Sequence, residues 1–176
     1  MNAANVDNQA GADLNSSTTT VNAANAITNE GRIEGDTVTT HSGSLANTAA
    51  IIGNTVTLNA SHSIANTGAA AVMAAASQLN LYSPGDISNT GGANLFSLGD
   101  INIAADGTRD ANGLLANRSH SVTNDQSTIE AQGSIEIATQ TLTNARPAPT
   151  VETVTTGVEA EHQTKRSKYM ACTTTN

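Results

Sequence analysis

Residues 125–144 read Asp-Gln-Ser-Thr-Ile-Glu-Ala-Gln-Gly-Ser-Ile-Glu-Ile-Ala-Thr-Gln-Thr-Leu-Thr-Asn, and other parts of the chain are imperfect copies of this stretch. It holds an aliphatic at Ile129, a glycine at Gly133, an aliphatic pair two apart at Ile135 and Ile137, and a closing Leu142-Thr143-Asn144. Side chains of an extended strand alternate faces, so Ile135 and Ile137 share a side. The asparagine suits a corner, because it tolerates left-handed backbone and hydrogen-bonds its own turn. The same aliphatic-x-Asn ending recurs at Val122-Thr123-Asn124, Ile87-Ser88-Asn89, Ile64-Ala65-Asn66, Leu45-Ala46-Asn47, Ile27-Thr28-Asn29 and, more weakly, Val6-Asp7-Asn8. From Asn8 to Asn144 the steps are 21, 18, 19, 23, 35 and 20 residues. A period near twenty with one long exception predicts a solenoid.

Landmarks inside the period support this. Ile33 and Ile51, Gly35 and Gly53, and Val38 and Val56 each lie 18 apart. Residues 1–29 carry a diluted pattern with Val6, Leu14, Val21 and Ile27. Between Thr67 and Asn89 an alanine-rich run, Ala69 to Ala76, favours a short helix by propensity. Leu79 and Leu81 then resume the pair two apart, and Pro84-Gly85 supplies a turn, so strand or corner packing is the preferred reading. The period starting at Thr90 is regular through Leu95, Gly99-Asp100, Ile101 and Ile103, after which Ala104 to Ser121 adds about 15 residues. Insertions of this kind fall on one face of a solenoid and often carry binding. After Asn144 the period stops at Pro147 and Pro149, which reads as a boundary. Residues 145–176 are expected to form an irregular or partly extended exit segment.

Composition fits a narrow coil. The 176 residues are 38% hydrophobic but hold no Trp, one Phe (Phe96) and two Tyr (Tyr82, Tyr169), which leaves a core of Ile, Leu, Val and Ala. Twenty residues at ~3.3 Å each make three short strands and their corners, and seven coils stacked ~4.8 Å apart make a rod roughly 34 Å long. One coil alone cannot offset an ordering entropy of ~1–2 kcal/mol per residue by burying a few aliphatics at ~1.5–3 kcal/mol each. Neighbouring coils must supply the rest, so stability is additive along the rod and weakest at its ends. Stacked at one corner, Asn29, Asn47, Asn66, Asn89, Asn124 and Asn144 are expected to bond amide to amide along the axis; otherwise they are separate turn residues. In neither reading are they catalytic.

The formal net charge is -8 and uneven: residues 1–144 carry 12 acids against three arginines, and residues 145–176 carry three acids against four bases. An acidic body repels phosphate backbones, which argues against nucleic acid as a partner. Cys172 is alone, so an internal disulfide framework and a Cys-based zinc site are excluded. It is either a buried-type thiol or pairs with a cysteine outside the chain. No run approaches the ~20 apolar residues that span a bilayer. Met1 leads into polar Asn2, Asn5 and Asp7 rather than a signal peptide, and with the repeat already under way at Val6 the chain is expected to be part of a longer parent.

The run Ile87-Ser88-Asn89-Thr90-Gly91, then Gly99-Asp100-Ile101-Asn102-Ile103-Ala104 and Ile129 to Ala138, resembles the repeats of filamentous haemagglutinins and contact-dependent growth inhibition exoproteins. The resemblance covers residues 27–144 well and 1–26 loosely. It implies a right-handed parallel β-helix, all-β, of six to seven coils. It also implies secretion through a two-partner system with an outer-membrane transporter, and a place on the bacterial outer surface in a filament that adheres or holds a binding tip and toxin away from the cell. Residues 145–176 would lead toward a receptor-binding region. Gln78 departs from the pattern where Gly-Asp is expected, and Ala49 stands where other turns have Gly31, Gly68 and Gly91.

Chemistry is sparse. His41, His62, His120 and His162 have no Cys or carboxylate at ligand spacing, so no metal is expected. Asp36, Asp86 and Asp100 follow glycines and could crowd one face as glycosidase carboxylates do. Equivalent positions hold Asn54 and Ser134, so they read as turn residues. No calcium repeat, phosphate loop or nucleophile triad is present, and no cofactor is implied. Lys165 to Lys168 reads as a solvated patch. The expected role is a non-catalytic stalk. The alternative is recognition of a target-cell receptor or glycan by the 104–121 loop, with Leu114 and Leu115 as apolar anchors and Arg109 and Arg118 as polar contacts. A polysaccharide-cleaving β-helix is disfavoured, since an aromatic-poor surface offers sugars little to stack on. Open strand edges predict end-to-end association wherever nothing covers them.

Overall fold

Each period of the sequence becomes one coil of a parallel β-helix, because residues one period apart pair strand to strand. The computed structural model describes residues 1–146. Its strands are β1 (Asn2–Asn8), β2 (Asp13–Asn15), β3 (Thr18–Asn29), β4 (Arg32–Asn47), β5 (Ala50–Thr67), β6 (Val72–Tyr82), β7 (Asp86–Thr90), β8 (Asn94–Ser97), β9 (Asp100–Ala104), β10 (Ser119–Asp125), β11 (Thr128–Ala131), β12 (Ile135–Ile137) and β13 (Thr139–Ala145). All strand pairs are parallel, and they stack about seven coils into a solenoid with three sides. Among the described residues no helix forms.

The register shows how the period works. On the first side Leu14, Ile33, Ile51, Met73, Leu95 and Ile129 stack one above another. On the second side the stack is Val38, Val56, Leu79, Ile101 and Ile135, and on the third it is Val6, Ile27, Leu45, Ile64, Ile87, Val122 and Leu142. The long strands β4 and β5 run around all three sides, bending at the corners. The core is a single aliphatic column, fully buried at Ile27, Ile33, Leu45, Ile51, Leu58, Ile64, Met73, Leu79, Ile87, Leu95 and Ile101. Phe96 sits on the outer side of β8, between inward-facing Leu95 and Ser97.

The alanine-rich run is strand from Val72 onward. Met73 and Ala75 point inward and pair with Ile51 and Gly53 of the coil before, and that ladder outweighs a helix preference of a few tenths of a kcal/mol per residue. Gln78 keeps the register between Thr55 and Asp100 despite the missing glycine, because one extra residue is taken up between Ala75 and Gln78. The 35-residue step is a hairpin inserted between β9 and β10, and Asn124 still pairs with Asn89. Pro147, Pro149, His162, Lys165 to Lys168 and Cys172 lie outside the described residues.

One core position breaks the pattern. Thr40 is fully buried in register between Val21 and Leu58, and its Oγ1 has no hydrogen-bond partner among the described residues. An unpaired buried hydroxyl costs about 1–3 kcal/mol. Thr40→Val is therefore expected to stabilise the chain by about 1–2 kcal/mol. A thermal melt reads this as a higher midpoint, and a lower one would refute it.

Candidate functional site

The corner that closes the third side holds a continuous column of amides. Nδ2 of Asn8 donates to Oδ1 of Asn29 at 2.7 Å, Asn29 to Asn47 at 2.7 Å, and Asn47 to Asn66 at 2.8 Å. Asn66 donates to Asn89 at 2.9 Å, Asn89 to Asn124 at 2.8 Å, and Asn124 to Asn144 at 2.8 Å. Each asparagine lies two residues after an inward aliphatic, so it also points inward, at the point where the chain turns onto the next coil. The second Nδ2 proton is used as well: it goes to the carbonyls of Arg32, Ala50, Ala49, Asn94, Thr128 and Ser127 for successive members up to Asn124. Asn29, Asn47, Asn66 and Asn89 are at most 1% exposed.

Only asparagine meets this geometry. Aspartate offers no donor and adds charge, and glutamine is a methylene too long for the corner. All six asparagines singled out in the sequence are brought together, and Asn8 precedes them as a seventh member. Its signal, Val6-Asp7-Asn8, is the weakest copy of the ending. The column can hold coils in register. It has no nucleophile and no titrating group, so its chemistry is structural.

The second feature is the hairpin between β9 and β10. Its arms are joined by Ala105 N to Asn117 O at 3.1 Å, Ala116 N to Thr108 O at 2.9 Å and Asp110 N to Leu114 O at 2.8 Å, with an antiparallel bridge between Arg109 and Leu115. Asp110 Oδ1 accepts from the Asn112 and Leu114 amides, and Asp106 accepts from Thr108 N and Asn117 Nδ2. The tip chemistry is thus satisfied within the loop.

The hairpin lies down across the second side rather than projecting. Arg109 donates from Nη1 to Glu136 Oε2 at 2.9 Å and to Gly113 O at 2.6 Å, and from Nη2 to Asn102 Oδ1 at 3.2 Å. The Leu115 amide donates to Glu136 Oε1 at 2.5 Å. Asn102 Nδ2 donates to Asn80 Oδ1 at 2.9 Å, and Asn80 Nδ2 to Thr57 Oγ1 at 3.2 Å, so a second, shorter amide stack runs beneath the strap. Asn80 and Asn102 face outward from their strands yet are buried, because the hairpin covers them. Gly107 packs against the Tyr82 ring.

This alters the expected binding loop. Leu115 is 7% exposed, so it is not offered to a partner as an anchor; Arg109 is bonded to the coil with its side chain still 41% exposed, and Leu114, 57% exposed, and Arg118 face solvent. The reason is Glu136, one coil later on the same side, which draws both the guanidinium and the Leu115 amide.

Carboxylates in the strap are held below their ordinary range: Glu136 by the Leu115 N–H and then Arg109, Asp110 by the Leu114 and Asn112 N–H groups, and Asp106 by the Thr108 N–H. A depressed pKa in the folded state means that this stability is full above the ordinary carboxylate range and is lost as pH falls through the depressed values. Docking is therefore expected intact at pH 7 and lost only as pH falls below the ordinary carboxylate range. Amide exchange at Leu115 would report it, by losing protection in acid before the coil amides do. Equal loss in both would refute the assignment.

Other groups do not converge. Asp86 Oδ1 accepts from Ser121 Oγ at 2.7 Å and contacts His120 Nδ1 at 2.8 Å, and the His120 hydrogen bond, then Ser121, lowers its pKa. Asp100 Oδ1 accepts from Ser134 N at 2.8 Å. Asp36 and Asp100 begin the second side and Asp86 begins the third, so the three do not share a face. His62 Nδ1 lies 3.2 Å from the Gly43 carbonyl, and His41 is exposed on the second side. Among the described residues no three metal-ligating side chains cluster. No protein-family model, no characterised protein and no solved structure matches this chain.

Proposed function

We propose that this chain is a non-catalytic stalk segment of an exported bacterial surface protein of the filamentous haemagglutinin or contact-dependent growth inhibition kind. It is carried out through an outer-membrane transporter and holds a binding tip or effector of its longer parent chain away from the cell. The observation that carries this reading is the amide column, which passes through every coil and is not interrupted even where the hairpin is inserted. Such a column favours one register and resists shear between coils, which is what a spacer needs.

Removing residues 30–66 from the parent chain takes out two whole coils and joins equivalent corners. Reach should shorten by ~10 Å with tip binding and surface display retained. Loss of tip binding, or display that does not need the transporter, would overturn the proposal. A second reading is favoured by one observation: Leu114 at the hairpin tip and Arg118 at its foot are both exposed. In that reading these two contact a target-cell receptor, and replacing both with alanine lowers cell binding while the coils stay intact.

A further inference from the structure

We infer that the second side carries a binding track for a linear, uncharged glycan, ending at the foot of the hairpin. Asn22, His41, Asn59 and Tyr82 are in register on successive coils, one above another along the axis. Two adjoining grooves run beside them. One passes Asn22 and His41, the other passes His41, Asn59, Tyr82 and Pro84, and both share His41 and Ser42, so they make one continuous, shallow trough. Ala105, where the hairpin leaves the coil, closes the far end.

Three properties select the ligand. The lining has no Asp, Glu, Lys or Arg, in a chain of net charge -8, so a charged polymer has no counter-charge there. Tyr82 supplies an apolar face with a polar tip, set in place by Gly107 on one side and by its Oη donating to Asn80 Oδ1 at 3.3 Å. The amides are already positioned: Asn59 Nδ2 donates to Thr40 O at 3.1 Å and Asn22 Nδ2 to Asn2 Oδ1 at 2.7 Å. Preset polar groups beside one aromatic platform suit sugar hydroxyls and C–H faces. The coil rise of ~4.8 Å is close to the advance of one sugar unit in an extended β-linked chain, so each coil can meet one unit. An extended peptide is less suited, because the trough crosses the outer face of the strands and the open edge, at β1, lies only at its near end.

This role differs from recognition by the hairpin itself, which here is only the end wall, and it does not rest on the stalk reading. The test uses the full 176-residue chain and uncharged β-linked oligosaccharides of glucose, galactose and N-acetylglucosamine, with uronic-acid oligomers and a neutral extended peptide as competing probes. Saturation-transfer NMR and titration read binding. At least one neutral saccharide should bind, Tyr82→Ala should weaken it by about tenfold or more, and Tyr82→Phe should keep it within about threefold. Gly107→Ala, whose new methyl would press on the ring, should weaken it too, with an unchanged far-ultraviolet spectrum for each variant. No binding by any neutral saccharide, preference for the charged oligomer or the peptide, or equal binding by Tyr82→Ala would overturn the inference.

Discussion

Asn66→Ala is expected to destabilise the chain by about 3–6 kcal/mol, a cost set by the groups it leaves without partners. Asn66 accepts from Asn47 Nδ2 and donates to Asn89 Oδ1 and to the Asn94 carbonyl, all within hydrogen-bond distance, and it is fully buried. Alanine leaves the Asn89 Oδ1 and Asn94 carbonyl acceptors stranded and the Asn47 amide with only carbonyl partners, at Ala49 and Val72, and each buried orphan costs about 1–3 kcal/mol. Asn144 makes the contrast. It accepts one bond at the exposed end of the column, so Asn144→Ala should cost less than about 1 kcal/mol. Urea denaturation of both variants checks the gradient. Equal losses would mean that the column contributes as separate turns rather than as one chain of bonds. Because coils stabilise their neighbours, the Asn66 variant is also expected to open from the middle, with amide exchange rising first in β5 and β7.

The column was open to reading from sequence because two independent constraints fall on the same residues. Ile64 and Asn66, like Leu45 and Asn47, must both point inward, so the period-two rule and the coil period coincide and leave a visible signature. The shorter stack had no such signature. Asn80 lies between Leu79 and Leu81, and Asn102 between Ile101 and Ile103, so both are outward positions that ordinarily meet water. They are buried only because the hairpin lies over them, and the hairpin lies there because Arg109 reaches Glu136, 27 residues on. A pair so far apart in sequence leaves no periodic trace. The same contact turned Leu115 inward, although the Leu114-Leu115 dipeptide gives no sign of which leucine faces the coil. The Ala69 to Ala76 run was ambiguous for another reason: its helix propensity is real, and the parallel ladders to β5 and β8 decide against it.

Gly99→Ala is expected to cost about 2–4 kcal/mol, although it adds a single methyl group and touches no core residue. The glycine before Asp100 does not sit in left-handed backbone. What matters is the coil beneath it: a Cβ at Gly99 would collide with the Ser77 carbonyl group, which is main chain and cannot rotate away. Gly85 meets the His62 carbonyl in the same manner, so the glycine of the Gly-Asp corner is there to let coils stack closely, and the aspartate after it bonds to the next coil, Asp86 to Ser121 and Asp100 to the Ser134 amide. Relief requires the coil that holds Gly99 to shift against the coil that holds Ser77, which lengthens the ladder between β6 and β9 and strains the amide stack from Asn102 to Asn80. Gly113 tests the distinction. Its φ of +81° favours glycine, but a Cβ there would meet nothing, so Gly113→Ala should cost only about 1 kcal/mol of local strain, confined to the hairpin tip. Measured side by side, a larger loss for Gly113→Ala than for Gly99→Ala would show that turn conformation, and not the spacing between coils, is what these glycines protect.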